Sequence, residues 1–153
     1  KSKYLIMIKE ALIEIFERDL LKLKEEISLY KEENKLWITE KNISNSAGNL
    51  TLHLIGNLNH FIGATLGKTG YIRERDKEFS DKNISRIDLL ESIDGTISIV
   101  KATLEDLTLE DFEKDFPLEK HGKIVKIDFM LLHLLSHFEY HLGQINYHRR
   151  LID

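Results

Sequence analysis

The sequence predicts an all-α protein, a four-helix bundle with long connectors, and three observations carry that prediction. Apolar residues recur at three- and four-residue spacing through four long stretches, the pattern of helices with one buried face. One proline and eight glycines among 153 residues leave those stretches almost uninterrupted. Turn-forming and capping residues gather between them. The length fits one domain, 1–153, large enough for a substantial core.

Residues 3–34 read as the first helix. Leu5, Ile8, Leu12, Ile15, Phe16, Leu20, Leu23, Ile27 and Tyr30 mark its apolar face. The charge run Lys22-Leu23-Lys24-Glu25-Glu26 reads as a solvated face. Residues 35–47 form a connector in which Leu36, Trp37 and Ile38 tuck back onto the bundle. The second helix covers 47–66, with Leu50, Leu54, Ile55, Leu58, Phe61, Ile62 and Leu66 on its apolar face and a polar stripe of His53, Asn57 and His60. Gly48, Gly56, Gly63 and Gly67 would weaken an isolated helix by roughly 1 kcal/mol each relative to Ala. They make sense where another helix or a ligand approaches closely, or they are simply tolerated.

Residues 67–83 read as the longest irregular segment. Lys68-Thr69 after a glycine lacks the upstream spacing of a phosphate loop. Arg73 and Arg75 beside Glu74, Asp76 and Glu78 read as a mutually neutralised loop. The third helix covers 85–105, with Ser85 as N-cap, Asp88 at the capping-box position, and Ile87, Leu90, Ile93, Ile97, Val100 and Leu104 inward. It runs through Asp94-Gly95 without a phase break. Residues 107–126 form a second connector containing a short hairpin with His121-Gly122 at its turn. Asp128 then caps the fourth helix, 129–151. Connectors of this length imply at least one crossover.

Composition narrows the function. A formal net charge of −4 argues against nucleic-acid or anionic-membrane binding. With no cysteine, disulfides, thiolate metal sites and a cysteine nucleophile of the chain's own are excluded. No apolar run is long enough to span a bilayer and no signal peptide is evident, so the expected location is cytoplasmic. The Asn-x-Ser/Thr triplets at Asn42, Asn49 and Asn83 are then chance matches. The chain opens on Lys1 and not Met, which suggests a trimmed start.

The fourth helix carries the chemistry. His133, His137, His141, Gln144 and His148 follow one another by four, four, three and four residues, a stripe on one side beside the apolar face. An i, i+4 histidine pair sets two imidazoles side by side, where both reach one divalent metal. Four of the seven histidines fall between His133 and His148. Spacing alone leaves open a metal site, a proton-sensitive patch and coincidence.

The stretch His137-Phe138-Glu139-Tyr140-His141-Leu142-Gly143-Gln144 resembles the C-terminal motif of the DinB-like superfamily, also described with the YfiT-type metal-dependent hydrolases. There, His-x-x-x-His-x-Gly-Gln sits on the last bundle helix. Asn49-Leu50-Thr51-Leu52-His53-Leu54-Ile55-Gly56-Asn57-Leu58 resembles the place of that family's remaining histidine. The stretch from Arg73 to Phe79 is similar to a loop of one uncharacterised subfamily. The resemblance implies an up-down-down-up bundle, often a homodimer, with a divalent metal (zinc, nickel, iron or manganese) held by residues that map onto His53, His137 and His141. It carries no implication of DNA binding. Some relatives are S-transferases using a low-molecular-weight thiol such as bacillithiol or mycothiol, and one branch isomerises maleylpyruvate.

On that resemblance the chain is expected to bind a divalent metal and to act on a small-molecule substrate as a metal-dependent S-transferase or hydrolase, activating a thiol cosubstrate or water. Gln144 and Asn57 are the candidate catalytic residues, placed to orient a metal ligand or substrate; a helix–helix hydrogen bond is the plainer role for Gln144. His60 and His133 are reserve ligands, and Glu139 is expected to face solvent. The alternatives are a metal-stabilised bundle without catalysis, serving as a binding module, and a metal-free interaction module.

Overall fold

The apolar stripes fold as four long helices, and serine caps set where two of them begin. The structure is a computed structural model and describes residues 2–153. Helix α1 is Ser2–Ser28. A 3-10 turn, Glu33–Trp37, leads to α2, Ala47–Leu58, which continues without a break as a π-helical turn, Asn59–Ala64. A short α3, Arg75–Ser80, precedes α4, Arg86–Asp106; a 3-10 turn, Asp111–Glu113, precedes α5, Ile127–Ile152. Ser46 caps α2 by accepting from the Asn49 amide at 3.2 Å, and Ser85 caps α4 by accepting from the Asp88 amide at 3.1 Å.

Contacts between helices fix their directions. Lys9 donates to the carbonyls of Glu105 and Leu107, while Lys24 pairs with Asp94, so α1 and α4 are antiparallel. Glu26 meets Asn146 and Arg149, and Tyr30 meets His148, so α1 and α5 run parallel. Asn59 bonds Thr96, and Gly67 abuts Thr103, so α2 and α4 run parallel. The four long helices are therefore up-down-down-up, and the long connectors span the diagonals. The core follows the predicted faces through Leu12, Phe16, Leu54, Ile93, Leu134 and Phe138.

Several boundaries and faces differ from the sequence reading. Helix α1 stops at Ser28, not residue 34, because the chain turns so that Leu36 can reach full burial. The segment 67–83 is not wholly irregular, since it contains α3. On α4 the buried residues are Leu89, Ile93, Thr96, Val100, Thr103 and Leu104; Ile93, Val100 and Leu104 are as expected, whereas Ile87 is 68 % exposed. Thr96 can go inside because its hydroxyl is satisfied by Asn59 and by the Ser92 carbonyl. Helix α5 starts at Ile127 with Lys126 as N-cap; Asp128 sits in the first turn, where a negative charge favours the helix N-terminus. The expected hairpin is a loop with two isolated antiparallel bridges, Asp115–Lys126 and Lys120–Lys123, around His121 and Gly122, both at positive φ.

The charge run of α1 is not wholly solvated either. Glu26 is only 2 % exposed and accepts from Arg149 and Asn146, each at 2.7 Å. Burial opposes its charge, but those two donors hold its carboxyl below the ordinary value. Glu26→Ala removes one partner and strands the Arg149 guanidinium, so a loss of about 2 kcal/mol is expected in urea unfolding. An unchanged midpoint would show that the pair contributes nothing.

Candidate metal centre

Helices α2 and α5 pack antiparallel, and this brings three histidines distant in sequence to one point. His53 comes from the middle of α2; His137 and His141 come from successive turns of α5. One ring nitrogen of each lies within 4.8 Å of the others. The Nε2 atoms of His53 and His137 are 3.1 Å apart, and the ring centroids of His137 and His141 are 4.6 Å apart. His53 is buried, while the other two are half-buried.

The other ring nitrogens decide which atoms point inward. His53 Nδ1–H donates to Glu78 Oε1 at 3.0 Å. His141 Nδ1–H donates to Gln144 Oε1 at 2.7 Å. Each bond fixes the tautomer that leaves the Nε2 lone pair free, the arrangement in which imidazole binds a metal. His137 Nδ1 is buried and has no hydrogen-bond partner among the described residues. Nitrogen donors, two of them with outer partners, fit a borderline divalent ion.

Residues 4–153 match the model of DUF1572, described as a protein of unknown function. The chain belongs to this DinB-like family. No curated protein matches it.

In this DUF1572 chain the segment before α4 builds one wall of the site. Helix α3 delivers Glu78, whose side chain is 6 % exposed. Arg73 forks onto it, Nε to Oε2 and Nη2 to Oε1, both at 2.8 Å. Burial works against the Glu78 charge, yet the bonds from His53 and Arg73 keep its carboxyl below the ordinary value. Phe79 packs on the His53 ring at 5.0 Å, and Arg75 lies over Phe79. Gly56, one turn along from His53, leaves the space that the carboxylate fills; a β-carbon there would overlap Glu78. Sequence reading paired Arg73 with Glu78 as a neutralised loop but did not place the pair against His53. The available signal was Gly56 on the His53 face.

The remaining candidates separate clearly. Gln144 supports His141 within α5, and among the described residues it makes no hydrogen bond to another helix. Asn57 is buried on the turn after His53, and its Oδ1 has no partner among the described residues. His60 stacks on Phe61, and neither it nor His133 joins the three-nitrogen group. His148 is structural: its Nε2–H donates to the Ile38 carbonyl at 2.7 Å and its Nδ1 accepts from the Tyr30 hydroxyl at 2.6 Å. Glu139 is exposed, as expected, but faces Asp19; partial burial and that second carboxyl push it up to about 7. Among the described residues no helix is long and apolar enough to cross a membrane.

Burial, reinforced by the neighbouring His141 and His53, pushes the His137 imidazole from its ordinary 6.5 down to about 3. A neutral folded-state imidazole with a lowered pKa makes the unfolded chain the better proton binder in acid. Its contribution to stability is complete above 6.5 and is lost as pH falls toward about 3. Metal-free protein should therefore unfold at lower urea concentrations at each step of acidification through that window. His137→Phe should show a shallower pH dependence than the wild type.

Proposed function

We propose that this chain is a divalent-metal protein of the YfiT type, with His53, His137 and His141 as ligands, acting as a metal-dependent S-transferase or hydrolase. The observation that carries the reading is the convergence of three imidazole nitrogens, two of them set in the ligating tautomer by Glu78 and Gln144. A divalent ion held there supplies the Lewis acidity that makes a thiol or a water nucleophilic near neutral pH. A thiol would come as cosubstrate, since the chain has no cysteine.

The chain's own residues supply the rest. Glu78, backed by Arg73, keeps His53 oriented and strengthens it as a donor to the ion. Gln144 does the same for His141 and keeps its amide N–H groups free for a bound molecule. Asn57 Oδ1 lies buried one turn from His53 with no partner among the described residues. The low proton affinity of His137 and His141 keeps both neutral, hence ligating, at neutral pH. A metal that only stabilises the bundle is the second reading, favoured by the burial of His53 behind Glu78.

Elemental analysis of untagged protein beside His53→Ala/His137→Ala/His141→Ala tests the ligand set. About one divalent metal per chain in the wild type and none in the variant is expected. Glu78→Gln should still bind, with affinity lowered roughly 10- to 100-fold by competition with a chelating dye. Equal metal content in wild type and triple variant would end the proposal. A homodimer belongs to the same reading: light scattering should give twice the 17.9 kDa chain mass, and a monomer would remove that part.

A further inference from the structure

Beside His141 lies a cavity of about 430 Å³, bounded by the connector before α2, the first turn of α2 and the C-terminal half of α5. That volume suits a small organic molecule. Although 31 % of the chain is charged, no Lys, Arg, Asp or Glu is among the described residues that line it. One part of the wall is apolar, from Ile43, Leu50, Leu151 and the Tyr147 ring. The hydrogen-bonding part consists of neutral amides and a hydroxyl, from Asn42, Asn45, Gln144 and Ser44. His148 adds only a ring surface, because Ile38 and Tyr30 already occupy both its nitrogens.

We infer that this cavity takes an uncharged amphipathic small molecule, its apolar end against Leu50 and Leu151 and its polar end at the amides. A carboxylate placed here would shed water and meet no Lys or Arg among the lining residues, the Arg150 guanidinium lying over the Tyr147 ring at 5.6 Å. An amide or hydroxyl would exchange water for Asn and Gln side chains at little loss. His141 and Gln144 belong both to this wall and to the proposed metal centre. Resting on that reading, the cavity is the substrate compartment, and a negative charge is accommodated only at its His141 end. Thiols carrying several carboxylates then fit poorly, and a thiol or electrophile with an uncharged body fits well.

The test uses ¹⁵N-labelled full-length protein, metal-free and zinc-loaded, titrated with hexanamide and with hexanoate. The side-chain amides of Asn42, Asn45 and Gln144 report binding. On metal-free protein hexanamide should shift them saturably, and hexanoate should bind roughly tenfold more weakly or worse. Leu151→Lys, at an exposed position on the rim, should shrink that ratio by tightening hexanoate. Hexanoate binding as tightly as hexanamide, or no saturable shift of these amides up to the solubility of hexanamide, would overturn the inference. The two readings fail separately. Selectivity for hexanamide in a protein that never loads zinc removes the metal centre and leaves the cavity. Zinc loading with hexanoate preferred on the metal-free form does the reverse.

Discussion

A buried carboxylate governs the site. Glu78 sits behind His53 in space that the absent side chain of Gly56 leaves open, and an isolated charge there would be expensive. Arg73 neutralises it through a two-pronged bond, and His53 gives it a third donor. The segment carrying both Arg73 and Glu78 is therefore drawn down onto α2. Asn49 secures the segment further along, donating to the carbonyls of Glu78 and Asp81 at 3.0 and 2.9 Å. The orientation of His53 follows from this arrangement, since its Nδ1 is engaged on the outer side and its Nε2 has one direction left to face.

The topology does the second half. An up-down-down-up order makes α2 and α5 antiparallel neighbours although roughly eighty residues separate the paired histidines in sequence. The i, i+4 spacing on α5 then places His137 and His141 on adjacent turns against the single turn bearing His53. The π turn at Asn59–Ala64 follows directly, with the Thr65 amide bonding back to the His60 carbonyl at 3.0 Å. His60 lies edge-on to Phe61 and near Arg73, and it is not one of the three clustered histidines.

This also explains which features were legible in the sequence. Helix existence, the cap at Ser85, the continuity of α4 through Gly95 and the His121-Gly122 turn are local properties, and local pattern revealed them. The pairing of His137 with His141 is likewise local. His53 came from resemblance, because nothing in the spacing of α2 says which of its polar residues faces α5. Glu78 was hidden for a different reason. Its partners are contributed by α2 and by the segment before α3, and in sequence it is one acid among several alternating charges. The face of α4 was misjudged at Ile87 because the buried stripe also takes in Thr96, whose hydroxyl is satisfied by Asn59 and the Ser92 carbonyl, and Thr103.

The two sides of the histidine cluster are chemically unlike, and that asymmetry bears on what a metal there would do. On the α3 side, His53 is sealed by Glu78, Arg73 and Phe79, a dry wall with its charges matched. On the other side, His141 and Gln144 border a cavity walled by neutral groups. A purely structural ion is served best by closure on all sides, because every position not filled by protein is stability forgone. A catalytic ion needs the opposite: rigid ligands behind and an approach in front. His53 with its outer partners provides the first, and the cavity beside His141 provides the second. The same division separates the burdens of folding and recognition. The charges of Glu78 and Arg73 are paired on the sealed wall, whereas no Lys, Arg, Asp or Glu is among the described residues that line the cavity beside His141.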